Sequence, residues 1–260
     1  MPGKVICIKV DYAEATGTHN TQNAVFVEKL YSEKIPPQET NPKVRTTIYG
    51  KPILLFHQEA EGMEPVFYGK ANYNWDKGAE NVFGFTSDYD VECWEFKNNT
   101  SEACLFTGEI PTKWSEDFEA RYPDEYGNIS RFKTMHDWVV STKQDAATGN
   151  ALASTYTDVD GNTYTHDTAE YRLAKFKTEF EDYFNMHYAL IYYVYTFFAL
   201  MVDQRAKNMF LTYWGSVGKW YFYFYDNDTA FSINNEGNLV FDLIQVTFTA
   251  MCSKNYPLNC

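Results

Sequence analysis

The sequence predicts a mixed α+β fold, in which a small antiparallel sheet precedes a larger and mostly helical part. Three stretches support this prediction. Lys4–Tyr12 (KVICIKVDY) alternates β-branched residues, which is typical of a strand. Met186–Val202 is an almost uninterrupted apolar run, which is typical of a helix in the centre of a core. Trp220–Tyr225 is an aromatic strand candidate that ends at Asp226.

Composition and charge narrow the class of protein. The chain has 260 residues, of which 45% are hydrophobic and 18% aromatic, so it can form one large domain or two closely packed lobes. Its formal net charge of −13 disfavours nucleic-acid binding through a basic surface. We expect no signal peptide and no membrane anchor, because the N-terminus has no long apolar run. The five cysteines form no C-x-x-C pair, which favours free thiols in a reducing compartment.

The sequence of residues 1–95 predicts a strand, a helix and a hairpin. Thr18 or Asn20 can cap the helix, which ends near Tyr31 and contains Glu28. Four prolines then predict a loop over residues 35–52. The remaining predictions are strands at 52–58 and 66–73, sheet or hinge at 83–96, and a crossing to the second part at 94–96.

The second part alternates helices with one hairpin. The predictions are helices at 112–122, 130–143, 168–183 and 186–202, a hairpin at 155–166 and a short strand at 238–242. Lys175 and Glu179 on the third of these helices have the spacing of a solvated i,i+4 pair.

Polar residues cluster where two apolar elements end. Asp203 and Asn208 are five positions apart and follow the apolar helix, and Asp226 follows the aromatic strand. Burying such carboxylates is costly unless they are paired or bind metal. Protein kinases use the same D-x-x-x-x-N spacing for a catalytic Asp and a metal-binding Asn, with a further metal-binding Asp after a short hairpin. The cluster therefore predicts a phosphoryl-transfer site that binds Mg²⁺.

Lys9 and Glu28 also fit a kinase-like phosphoryl-transfer site. A lysine on a strand followed by a glutamate on the next helix can form the ion pair that positions nucleotide phosphates in kinases. The alternative is an ordinary surface lysine and glutamate, and the sequence leaves both interpretations open.

The stretch DQRAKNMF followed by WYFYFYDND resembles the CotH kinase family, the spore-coat-type atypical kinases. It is similar to CotH-like segments in large virion-associated proteins of tailed bacteriophages. KVICIKVDYAEATGTHN, FYGKANYNWDKGAENVFGF, FEARYPDE and DTAEYRLAKFKTEF also fit, so the resemblance covers roughly residues 4–242.

The resemblance implies a protein-kinase-like, two-lobed fold that uses ATP and Mg²⁺ to phosphorylate a protein hydroxyl. Asp203 would orient or deprotonate the acceptor hydroxyl. The nucleotide would be bound by Lys9 with Glu28, and the metal by Asn208, Asp226 and Asp228. Partners would be a protein substrate or other virion proteins, with no nucleic acid or membrane. The location would be the host bacterial cytoplasm or the virion.

The domain division follows from the same resemblance. Residues 1–95 would form the small lobe, 96–242 the helical lobe and 243–260 a divergent tail. Only eight residues precede Lys9, with no glycine-rich loop among them, which suggests a truncated domain. The alternative function is a non-catalytic virion module that keeps the fold, with Asp203, Arg205 and Asp226 in a buried ion-pair network.

Overall fold

The computed structural model describes residues 5–11, 16–78, 80–97, 114–124, 129–140, 154–166, 168–201, 204, 207–234 and 236–239. The strands are β1 (Ile6–Lys9), β2 (Gly50–His57), β3 (Val66–Trp75), β4 (Val91–Phe96), β5 (Phe118–Tyr122), β6 (Thr155–Thr157), β7 (Thr163–Thr165), β8 (Met209–Trp214) and β9 (Lys219–Phe224). The helices are α1 (His19–Leu30), α2 (Glu80–Phe83), α3 (Trp114–Asp117), α4 (Ser130–Val140), α5 (Ala169–Tyr183) and α6 (Met186–Phe198). The fold is mixed α+β, as predicted, with small antiparallel sheets and several helices.

The first sheet has the order β1-β3-β2 and is antiparallel throughout. Its register places Lys9 opposite Asn72. Helix α1 lies against the segment that leads into β2, where the Thr47 hydroxyl donates a hydrogen bond to the Ala24 carbonyl (3.2 Å). The predicted strand, helix and hairpin are therefore confirmed in their order along the chain.

The second sheet has the order β5-β4-β8-β9 and forms the centre of the molecule. Alternate residues of β8 point into two different aromatic clusters, with Leu211 on one side and Phe210 and Trp214 on the other. Because both faces of this sheet are covered at β8 and β9, these two strands (MFLTYW and KWYFYF) are almost continuously apolar and aromatic.

The helix predicted at 112–122 is wrong for its second half. Residues 114–117 form α3, residues 118–122 are β5, which pairs with β4, and residues 112–113 lie outside the described segments. Phe118 and Ala120 alternate into the core there, so sheet pairing overrides the helical propensity of the neighbouring charged residues Glu119 and Arg121. Residue 95, where the domain boundary is predicted, lies within β4, and the division into domains stays a prediction. The chain passes from one sheet to the other over residues 76–90.

The second part is also less helical than predicted, since five strands lie after residue 96 in the described segments. The hairpin predicted at 155–166 is confirmed as β6 and β7. The helix predicted at 168–183 is confirmed as α5, with Thr168 as its N-cap: the Thr168 hydroxyl accepts from the Tyr171 N–H (3.2 Å). A short strand is predicted at 238–242. Leu239 in this range pairs with Ile233, and residues 240–242 lie outside the described segments.

Helix α6 is apolar on every side, but only one of its faces is buried. Tyr188, Tyr192 and Tyr195 pack into the core, whereas the side chain of Phe198 is 70% exposed. Leu190, Tyr193, Val194 and Phe197 are also exposed. The prediction that this helix lies in the centre of the core is therefore wrong for half of its surface. In the described segments, no helix combines the length and the apolar composition of a membrane span.

Lys175 and Glu179 do not form the solvated pair predicted from their spacing. Lys175 is 8% exposed, and its ammonium group donates to the Trp138 carbonyl (2.9 Å). Glu179 accepts a hydrogen bond from the indole N–H of the same tryptophan (2.8 Å). Both side chains therefore fix Trp138 of α4 against α5.

Candidate functional site

The β8–β9 hairpin places two of the predicted metal ligands at one end of the second sheet. Met209 pairs with Phe224, so Asn208 lies opposite Tyr225, and Asp226 is the next residue. Asn208 and Asp226 both have φ of 55°, a left-handed conformation that Asn and Asp tolerate better than most residues. The Asn208 N–H donates to the Phe96 carbonyl (3.0 Å), which fixes the start of β8 to the end of β4.

Two buried amide side chains hold Asp226 in this conformation. Asn20 of α1 donates from Nδ2 to Oδ1 of Asp226 (2.9 Å), and its own Oδ1 accepts from the Asn227 N–H (3.2 Å). Gln204, which is 0% exposed, donates from Nε2 to the backbone carbonyls of Asp226 (2.5 Å) and Tyr225 (3.4 Å). Asn20 therefore fixes the carboxylate of Asp226, and Gln204 fixes its backbone.

Lys9 reaches the same end of the sheet from β1. Its ammonium nitrogen lies 5.7 Å from the centre of the Tyr225 ring, next to Asp226 in the chain. Lys9 makes no ion pair with any residue that the structure describes. Burial, and after it the charge of Asp226, raises the pKa of Tyr225, so its phenol stays protonated. An ammonium group without an ion pair to any described residue therefore lies near a neutral aromatic ring, and Asp226 follows that ring's residue in the chain.

A second cationic group lies near Tyr225 but is neutralised. The Lys77 ammonium is 5.3 Å from the centre of the ring and pairs with Oε1 of Glu95 (3.0 Å). The other Glu95 oxygen binds the Arg121 guanidinium (2.5 Å). Lys77 is thus held in a network with the buried Glu95. This leaves Lys9 as the cation beside Tyr225 that is available to an anion.

Glu28 does not pair with Lys9. Its Oε2 accepts hydrogen bonds from the Thr46 N–H (3.1 Å), the Thr46 hydroxyl (3.1 Å) and the Thr47 hydroxyl (3.0 Å). Burial raises the pKa of Glu28, although these hydrogen bonds act in the opposite direction. The predicted ion pair is absent because the loop before β2 supplies the partners of this carboxylate. Nucleotide binding by Lys9 or Glu28 stays a prediction.

The remaining predicted residues are Asp228 and Asp203. Asp228 is half-buried in a 3₁₀ turn (Asn227–Thr229) that packs against α1. Asp203 and Arg205 lie outside the described residues, as do residues 243–260 of the predicted divergent tail. The proposed catalytic role of Asp203 therefore stays a prediction, although its neighbour Gln204 contacts Asp226 directly.

The donor atoms at this end of the sheet suit Mg²⁺. Asn208, Asp226 and Asp228 offer amide and carboxylate oxygens, which are the hard ligands that Mg²⁺ prefers. Oδ1 of Asn227 is also buried and has no hydrogen-bond partner in the described structure. No group of three or more His, Cys, Asp or Glu residues that could hold a metal occurs among the described residues. A metal would therefore need amide oxygens, water or phosphate to complete its coordination.

Sequence reasoning missed Asn20, Gln204 and Glu95. Asn20 looks like a capping residue, yet the N-cap is Thr18 and the Asn20 side chain contacts Asp226 instead. The only sequence signal for Gln204 is its position in the polar DQRAKN stretch after an apolar helix. Glu95 carries no signal, because a strand glutamate is usually exposed.

Comparison with known protein families and with curated proteins finds no match for this chain.

Proposed function

We propose that this chain is a kinase-like phosphotransferase domain of the CotH type, which transfers a phosphoryl group from Mg²⁺-bound ATP to a protein hydroxyl. The observation that carries the proposal is the meeting of Lys9, Asn208 and Asp226 around Tyr225. Asn208 and Asp226 flank the β8–β9 hairpin, Lys9 comes from a distant part of the chain, and the sequence pattern had assigned all three to one site.

The roles of the residues follow from their chemistry. Lys9 supplies a positive charge that no described residue pairs, which suits a nucleotide phosphate. Asn208 and Asp226 supply oxygens to a cation from a backbone fixed at the end of the hairpin, with Asp228 as a further ligand. Bound Mg²⁺ would neutralise the charge of the phosphates. Asp203 would orient or deprotonate the acceptor hydroxyl.

The proposal also includes the architecture and the setting. The β1-β3-β2 sheet with α1 would be the small lobe, and the β5-β4-β8-β9 sheet with α4–α6 the large lobe. The proposed location is the host bacterial cytoplasm or the virion, and the proposed partners are a protein substrate or other virion proteins, as the resemblance to virion-associated proteins implies.

One observation favours the alternative, a non-catalytic virion module that keeps the fold. Glu28 is engaged by Thr46 and Thr47 and does not pair with Lys9, so one element expected of an active kinase is missing. The two functions differ in whether the protein binds nucleotide.

A thermal-shift experiment separates them. A ligand that binds only the folded state raises the melting temperature. The phosphotransferase proposal predicts a rise with ATP and Mg²⁺ together that exceeds the rise with either alone. Transfer of labelled phosphate to a protein would then be lost in Asp203→Asn, with nucleotide binding kept. No thermal shift with Mg-ATP at millimolar concentration would refute the proposal and leave the virion module.

A further inference from the structure

Asn20 connects two elements that are 206 positions apart in the chain. It lies in the first turn of α1 and is 8% exposed. Its amide nitrogen binds the side chain of Asp226, and its amide oxygen binds the backbone of Asn227. One amide group therefore contacts both the predicted metal ligand and the residue after it.

This arrangement fixes one oxygen of the carboxylate and leaves the other available. Oδ1 of Asp226 accepts the Asn20 hydrogen bond, whereas Oδ2 accepts none from the described residues. The side-chain oxygen of Asn227 also has no hydrogen-bond partner in the described structure. Two oxygens on consecutive residues therefore accept no hydrogen bond from the part of the chain that the structure describes.

We infer that Asn20 is a positioning residue for a divalent-cation site at Asp226. Its hydrogen bonds hold the carboxylate so that Oδ2 faces a cation, and they couple the orientation of α1 to that site. This inference rests on the proposed function, because it assumes that Asp226 is a metal ligand. Loss of a group that orients a metal ligand typically weakens metal binding about 10- to 100-fold.

A purely structural role for Asn20 is the competing explanation, and Asn23 provides the matched control. Asn23 lies one turn further along α1 and is 4% exposed. Its side chain donates to the His19 carbonyl (2.6 Å) and accepts from the Tyr195 hydroxyl, and no hydrogen bond connects it to Asp226. Truncating either asparagine removes buried hydrogen bonds from the same helix, so both variants should lose stability. Only the Asn20 variant should lose cation affinity.

The test is Mn²⁺ binding, followed by electron paramagnetic resonance without nucleotide, in wild type, Asn20→Ala, Asn20→Ser and Asn23→Ala. We expect both Asn20 variants to bind Mn²⁺ about 10- to 100-fold more weakly than wild type. Asn23→Ala should keep an affinity close to that of wild type. Asn20→Ser provides a second measurement if the alanine variant does not fold, since serine is well tolerated in the first turn of a helix.

Three outcomes would overturn the inference: Asn20 variants that bind Mn²⁺ as wild type does, an Asn23→Ala variant that is weakened equally, or a wild-type protein that binds no Mn²⁺. Mg-ATP binding is measured separately on the same proteins. Wild type that binds Mn²⁺ but not Mg-ATP would contradict the phosphotransferase proposal, and the Asn20 comparison would still decide the inference.

Discussion

His136 should make the stability of this protein depend on pH. It lies in α4, is 0% exposed, and neither of its ring nitrogens has a hydrogen-bond partner in the described structure. Its ring lies among aromatic side chains, with its centre 5.0 Å from that of Trp114 and 6.4 Å from that of Phe118. Burial lowers the pKa of His136 from 6.5 to about 4.

The direction in which stability changes with pH depends on whether the folded or the unfolded state binds the proton. In the unfolded chain the imidazole takes up a proton below about pH 6.5, whereas in the folded protein it stays neutral until about pH 4. The stability linked to His136 is therefore fully present above pH 6.5 and is lost as the pH falls towards 4. A shift of roughly two and a half units, at about 1.4 kcal/mol for each unit, corresponds to a loss of about 3 kcal/mol.

Urea unfolding of wild type and His136→Phe over this pH range measures the loss. Phenylalanine has a similar shape, fits the aromatic surroundings and cannot be protonated, so the variant should be at least as stable as wild type near neutral pH. The free energy of unfolding of wild type should fall by about 3 kcal/mol relative to the variant as the pH drops to about 4. An exposed histidine, replaced in His57→Gln, serves as the control. If the difference between wild type and His136→Phe stays constant with pH, the side chain is not buried as described.

Two further predictions test the packing. Glu28→Ala should lower the free energy of unfolding by about 2–3 kcal/mol, because it leaves buried donors unsatisfied, whereas Lys9→Met should change it by less than about 0.5 kcal/mol. Equal losses in urea unfolding would indicate a Lys9–Glu28 ion pair after all. On α6, Tyr188→Ala should cost about 3–5 kcal/mol, because Tyr188 is 0% exposed and stacks on Tyr31 at 4.1 Å. Phe198→Glu should change the free energy of unfolding by less than about 0.5 kcal/mol. A large loss of stability would mean that this face of the helix is covered.

The sequence predicted those features of the fold that depend on local patterns. Alternating β-branched residues located the strand that carries Lys9, and Thr168 located the start of α5. The prediction failed where tertiary pairing decides the outcome. Residues 118–122 have no strand pattern strong enough to outweigh their charged side chains, and only pairing with β4 makes them a strand.

The candidate site was predictable in its residue types but not in its contacts. The D-x-x-x-x-N spacing and the Asp after the aromatic strand identified Asn208 and Asp226, and the hairpin brings them to one end of a sheet. The partners of charged groups could not be read from sequence, since several acceptors compete for each donor. Glu28 is engaged by the loop before β2, and the contact between Asn20 and Asp226 spans most of the chain.

Calorimetric titration of Mg-ATP into wild type, Asp226→Asn and Asp160→Asn tests whether the protein binds Mg-ATP through Asp226. Asp160 is exposed in the turn between β6 and β7. Asp160→Asn is the control, because it removes one negative charge at a surface position away from the site. We predict that wild type and Asp160→Asn bind Mg-ATP with similar affinity, and that Asp226→Asn folds but loses Mg²⁺-dependent binding. Wild type that does not bind Mg-ATP, or an Asp226→Asn variant that binds it as wild type does, would contradict an Mg-ATP site at Asp226.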